Sequence, residues 1–183
     1  MNRKLLIIGL IFTIVTIVAR ILPHVPNVAP VAALALFAGV YLPKRWSLVV
    51  PVVAMLLSDI VVGFYDWQVM VAVYLGFILT VVIGWQVRKQ LNPWTALLGS
   101  IGGSLSFYFL TNFAVWAFSG MYALTGAGLI NSYVMGLPFL RFSLVGDLAW
   151  TTVFFVAYQL VLSRFPQANL SEASTGSNEA ARA

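Results

Sequence analysis

Apolar runs too long for a soluble core recur along this chain from Leu5 to Ser163, and that recurrence constrains everything else it can fold into. Six segments stand out: Leu5–Leu22, Val28–Leu42, Ser47–Phe64, Val69–Val87, Trp94–Phe118 and Phe139–Ser163. Only 8% of the 183 residues are charged while 61% are hydrophobic, and the mean hydropathy is +0.96. A soluble domain cannot cover its surface with so few charges. The expected fold class is therefore all-α: a polytopic membrane protein, with residues 1–165 forming a six-transmembrane-helix bundle. The polar, small-residue stretch after it, 166–183, reads as a disordered cytoplasmic tail. The basic start followed by an apolar run resembles a signal peptide. Its length, and the absence of an A-x-A-like site before a polar start, favour an uncleaved first helix.

Prolines punctuate the segments. Pro30 falls in the first turn of the second, Asn92-Pro93 caps and starts the fifth, and Pro138 is expected to open the sixth, positions where the missing N–H costs nothing. Pro51 lies within the third. The second segment has only 15 residues, about 22 Å as a helix. It is too short to cross alone and is expected inside the bundle. Between Ser119 and Pro138, Leu129, Ile130, Tyr133, Val134 and Leu137 share one helical face. That pattern predicts a short amphipathic helix lying on the outer surface as a lid.

Arg3/Lys4, Lys44/Arg45, Arg88/Lys89 and Arg164 share one side if all six segments cross, which predicts N-in/C-in topology. The net charge of +5 is then a topology signal and not a sign of a nucleic-acid partner. With no cysteine, a disulfide, a thiolate metal site and a Cys nucleophile are excluded. No Walker, H-E-x-x-H or G-x-S-x-G sequence occurs, and a lone His24 lacks metal-ligand spacing. No cofactor, no metal and no enzymatic role are expected.

The run "VVAMLLSDIVVGFYDW", residues 52–67, places Asp59 about 12 residues into a membrane segment, where a charge costs several kcal/mol. Asp147 lies in the sixth segment. Arg20, Arg141 and Asn112 fall in the same outer half, and together the five are candidate substrate-binding groups of an outward-facing polar cavity. The stiff turn "RILPHVPN" presents His24 and Asn27 as gating residues, with Tyr133 in the opposite outer loop. The alternative is that Asp59 pairs with Arg20, or Asp147 with Arg141, to lock the bundle. A third reading, acid–base catalysis by Asp59 and His24, requires turnover by the chain alone. The pairs Ala29/Ala33 and Ala35/Gly39 permit close helix approach, either within the bundle or against a partner protein. Aromatics around Asn112 on the fifth segment suit the wall of a site for a flat solute.

The stretches "RILPHVPNVAPVAALALFAGVYLPKR", "MLLSDIVVGFY", "TNFAVW" and "YVMGLPFLRFSLVGDL" resemble an uncharacterised family of small bacterial inner-membrane proteins, of the DUF6580 type. That family is similar to the S components of energy-coupling-factor (ECF) transporters. The resemblance implies a membrane component that binds a small vitamin-like micronutrient at the outer side. It also implies association with a transmembrane coupling subunit that carries ATPases. S components use an A-x-x-x-A pattern on their first helix for docking; here Ala29/Ala33 lies on the second. The runner-up function is a non-transporting scaffold in the membrane whose Asp/Arg pairs are structural.

Overall fold

The computed structural model describes residues 3–23 and 27–164. The helices are α1 (Arg3–Ile21), α2 (Val31–Tyr41), α3 (Lys44–Val62), α4 (Trp67–Val87), α5 (Pro93–Phe118) and α6 (Gly126–Arg164), with a 3₁₀ turn at Arg88–Gln90. No strand occurs among the described residues. Four helices, α3 to α6, are long and apolar enough to cross a membrane, while α1 and α2 offer shorter apolar stretches. The outward faces carry residues such as Leu10, Ile60, Val61, Leu98 and Val145, all more than half exposed. A continuous apolar exterior of this kind is stable against lipid and not against water.

Helix α2 sits at the centre. It touches each of the other five helices, and every residue from Val31 to Val40 is buried. The small-residue pairs explain how. A Cβ added at Gly39 would run into the Val81 carbonyl, and one at Gly84 would stand 2.8 Å from Gly39 Cα and from the Leu36 carbonyl, so α2 and α4 cross backbone to backbone. Ala33, Ala35 and Gly39 thus serve packing inside the bundle. Around α2 run α1, α3, α4, α5 and α6 in sequence, each packed on the next. Phe12 of α1 stacks on Phe154 of α6 at 4.2 Å, drawing the two ends of that series together. Phe37 of α2 meets Phe12 edge-on at 4.9 Å and Tyr158 at 5.4 Å.

At eleven residues, about 16 Å, α2 ends well inside the length of its neighbours. Its last carbonyls would be left without partners in a dry interior, which the chain resolves from a distance. Arg88 donates from Nε to the Val40 carbonyl at 2.5 Å and from Nη2 to Gly39 at 2.6 Å, and also reaches Leu42. A guanidinium fork is suited to this, and its charge complements the negative end of the helix dipole.

Local rules set the remaining ends. Asn92 accepts from Thr95 N–H at 3.0 Å while the Asn92 N–H donates to Thr95 Oγ1, a reciprocal cap with Pro93 at the first helical position. Gly63 closes α3 at φ 106°, ψ 149°, a backbone conformation open essentially to glycine alone.

One expectation is corrected. Pro138 does not open the last helix, and residues 129–137 do not form a separate surface helix. Both lie within the single 39-residue α6, about 58 Å long. Thr125 starts it, its Oγ1 accepting from Gly128 N–H at 3.1 Å. The first turns are then tied along α5: Ser132 donates to the Asn112 carbonyl at 2.9 Å, Tyr133 to the Phe109 carbonyl at 3.1 Å, and Tyr108 to the Tyr133 carbonyl at 2.6 Å. Three interhelical bonds outweigh the one ladder bond that Pro138 removes. The expected tail, 166–183, lies outside the described residues.

Replacing Gly39 by Leu should destabilise the protein by ~1–3 kcal/mol or prevent folding, because the intruding atoms meet backbone that cannot move aside. Arg88→Lys, which keeps the charge but loses the fork, should lower the melting temperature in detergent nearly as far as Arg88→Ala. Equal melting of Arg88→Lys and wild type would show that charge alone suffices.

Candidate functional site

The short central helix leaves space beyond its N-terminal end, opposite the Lys44/Arg45 end of the bundle. A cavity of about 370 Å³ lies there, a volume within the range of small-molecule sites. Its lining comes from α1 (Arg20), the α1–α2 turn (Asn27, Ala29), α2 (Val31, Ala32), α3 (Met55, Val62) and the α3–α4 link (Tyr65). The rest comes from α4 (Val73, Phe77), α5 (Phe107) and α6 (Ser143, Asp147). Asn27, Val62 and Tyr65 are exposed and form the rim, whereas Met55, Val31, Ala32, Ser143 and Asp147 are buried and form the floor.

The rim is held by specific contacts. Trp150 Nε1 donates to the Val28 carbonyl at 2.8 Å, and Gly146 lets Val28 approach so closely that a Cβ there would stand 2.9 Å from Val28 Cα. Asn27 takes φ 62°, a left-handed conformation that asparagine tolerates better than most residues. Across from it, Tyr65 follows directly from the sharp turn at Gly63. Tyr65 is 40% exposed, and the partial burial of its ring, reinforced by the Asp59 charge and partly opposed by Arg20, pushes the phenol up to about 12. It is therefore a neutral group able to donate a hydrogen bond at neutral pH.

The two membrane carboxylates have different surroundings. Asp59 is fully buried behind the cavity wall; its Oδ1 stands 2.6 Å from Arg20 Nη1, and its Oδ2 accepts from the Tyr74 hydroxyl at 2.6 Å. The Arg20–Asp59 contact is close in distance but not aligned as a hydrogen bond. Arg20 Nη1 points its proton instead to Ser58 Oγ at 2.5 Å, with the Met55 carbonyl at 3.5 Å. This is the one ion pair among the described residues. Asp147 is 6% exposed and lines the cavity, with Ser104 donating to its Oδ2 at 2.7 Å. Ser104 belongs to a buried polar seam between α5 and α6 in which Thr151 donates to Ser100 Oγ at 3.2 Å.

Of the residues singled out from sequence, Arg20, Asn27 and Asp147 gather on the cavity, and Asp59 braces it from behind through Arg20. Asn112 lies elsewhere: its side chain donates to the Tyr108 carbonyl at 2.9 Å and packs on Gly136, within the α5–α6 contact. Tyr133 belongs to the same contact. Arg141 is exposed, its guanidinium 5.1 Å from the Phe142 ring centre, and makes no ion pair with Asp147. His24 lies outside the described residues. Among those described, no three potential metal-ligating side chains cluster.

Sequence reading missed Tyr65, Tyr74 and Phe77, and did not link Ser104 to Asp147. Ser104 carries a signal of its own in the sequence, since a hydroxyl in a membrane helix needs a partner. The expected aromatic wall is present, but in the pair Phe77 and Phe107, whose ring centres are 5.0 Å apart, and not around Asn112.

Residues 1–168 match the profile of DUF6580, a family of unknown function. No curated protein and no solved structure matches the chain.

If the Arg20–Asp59 pair holds α1 to α3, Asp59→Asn and Arg20→Gln should each destabilise strongly, by about 3–5 kcal/mol, by stranding a buried partner. The double variant should lose much less than the sum. Additive losses in a double-mutant cycle of thermal unfolding would show that the two groups do not depend on each other.

Proposed function

The chain belongs to DUF6580, a family without an assigned function, and from that premise we propose that it is a membrane substrate-binding component for uptake of a small, vitamin-like solute. One observation carries the reading: a cavity of about 370 Å³ built from every helix of the bundle, with a mouth at one end and a buried carboxylate on its floor. An intramembrane ionisable group without a counter-charge is costly, and such groups concentrate along solute pathways. In this reading the helices adopt N-in/C-in topology in a bacterial inner membrane, because the basic pairs at Lys44/Arg45 and Arg88/Lys89 lie at the end away from the mouth. Uptake then draws its energy from elsewhere, as in the S components that the sequence resembles, through a coupling subunit with ATPases. The site binds and does not catalyse: Asp147, Arg20 and Tyr65 contact the solute, and Asn27 stands at the entrance.

The scaffold reading keeps one specific support, the Arg20–Asp59 pair. Its partners are protein groups on α1, α3 and α4, so at least this pair joins helices. The two roles are compatible, since the same pair fixes the cavity wall.

Extraction of the purified, lipid-reconstituted protein followed by mass spectrometry should recover a small molecule retained by wild type. The molecule should be lost from Val73→Trp, in which an indole occupies the cavity. Retention by a folded Val73→Trp variant would place the solute outside this cavity. An empty wild-type extract after exposure to a broad nutrient mixture would favour the scaffold.

A further inference from the structure

Resting on that reading, we infer that the cavity takes a cationic solute: a protonated amine or amidinium head on Asp147, carried by a flat apolar body that lies against the contacting pair Phe77 and Phe107. The charges around the cavity decide the sign. Arg20 is the single cation in its lining among the described residues, and its charge is matched by Asp59 at 2.6 Å. Its Nη1 is further committed to Ser58. Asp147 has no such match. Ser104 gives it one neutral hydrogen bond, and Arg141, the cation nearest along α6, is exposed and turned over Phe142.

From the other elements come neutral groups: Tyr65 from the link, Ser143 from α6, and apolar side chains from α2, α3 and α4. The N-terminal end of α2 also faces this space, and a helix dipole there is equivalent to about half a positive charge. With the Asp147 carboxylate ionised by an incoming counter-charge, the balance stays negative. The full charge of the solute is therefore positive. A buried carboxylate is stable as an ion when the bound molecule brings its counter-charge. The aromatic pair adds a surface for a flat ring and for a cation at its face.

The test uses three molecules of one shape and different charge: benzylammonium, benzyl alcohol and benzoate. The full chain is placed in discs of uncharged phosphatidylcholine at neutral pH, with empty discs as the blank, and binding is followed by calorimetry and by thermal shift. Benzylammonium should bind about tenfold or more tightly than benzyl alcohol, as a charge-assisted hydrogen bond predicts, and benzoate more weakly than either. Asp147→Asn should remove the preference for the ammonium over benzyl alcohol. A preference for benzoate, equal binding of all three, or an ammonium preference that survives Asp147→Asn would overturn the sign and leave the cavity standing. Binding of none of the three by folded wild type would overturn the cavity reading as well. The comparison among probes on wild type stands even if the variant does not fold.

Discussion

The structure depends on a helix too short to cross a membrane being placed at the centre of helices that are longer. Buried from Val31 to Val40, α2 has no lipid to face along its length. In hydrocarbon every exposed backbone carbonyl costs several kcal/mol, so both ends need an answer from the protein. At one end the answer is Arg88, delivered across the bundle from the end of α4. At the other the chain enters through a proline-rich turn, and the length that α2 lacks becomes the cavity. Cap and cavity are thus two consequences of one deficit, and the glycine crossing at Gly39 and Gly84 holds α2 at the depth that creates both.

Two buried acids in so small a bundle invite one explanation for both, but their contacts separate them. Asp59 is offered an arginine and a tyrosine hydroxyl, which hold its carboxyl group in one place between α1, α3 and α4. Removing one member of such a set strands the other, so it specifies geometry more than it adds stability. Asp147 is offered a serine and an open face. Its desolvation is compensated only in part by the protein, and that shortfall is available to a bound molecule. The first acid builds the wall that carries Arg20 and Tyr65; the second faces the space enclosed.

Much of this was legible in the sequence, for physical reasons. Hydropathy marks helices because a membrane demands satisfied backbones, so the all-helical class and the internal position of the second segment could be read directly. Asn92-Pro93-x-Thr95 announced its helix start because capping chemistry is local. Pro138 misled for the same reason: its effect on its own helix is local, but the bonds that carry α6 through it come from Ser132, Tyr133 and Tyr108 across an interface. Asn112 looked like a ligand group because it is polar in an outer half-helix. Its rotation about the helix axis, which decides what it faces, depends on packing against Gly136. Arg20 and Asp59 could be suspected as partners, whereas Ser104 with Asp147 could not, since neither spacing nor charge links them.

The fusion of residues 126–137 into α6 also changes what can move. A surface helix on glycine hinges would close like a lid, but this segment is bonded to α5 at three points and continuous with a 39-residue helix. Opening it would break those bonds together. The rim has less to break on its other sides. Among the described residues, Val28 beside Asn27 meets α6 at Trp150 and Gly146, and the link at Tyr65 follows a glycine at which a Cβ would meet no atom within 4 Å. Local opening follows the elements with the fewest buried contacts. Asn27 and the α3–α4 link at Tyr65 flank the mouth of the cavity that Asp147 lines, beside the ion pair that joins α1 to α3.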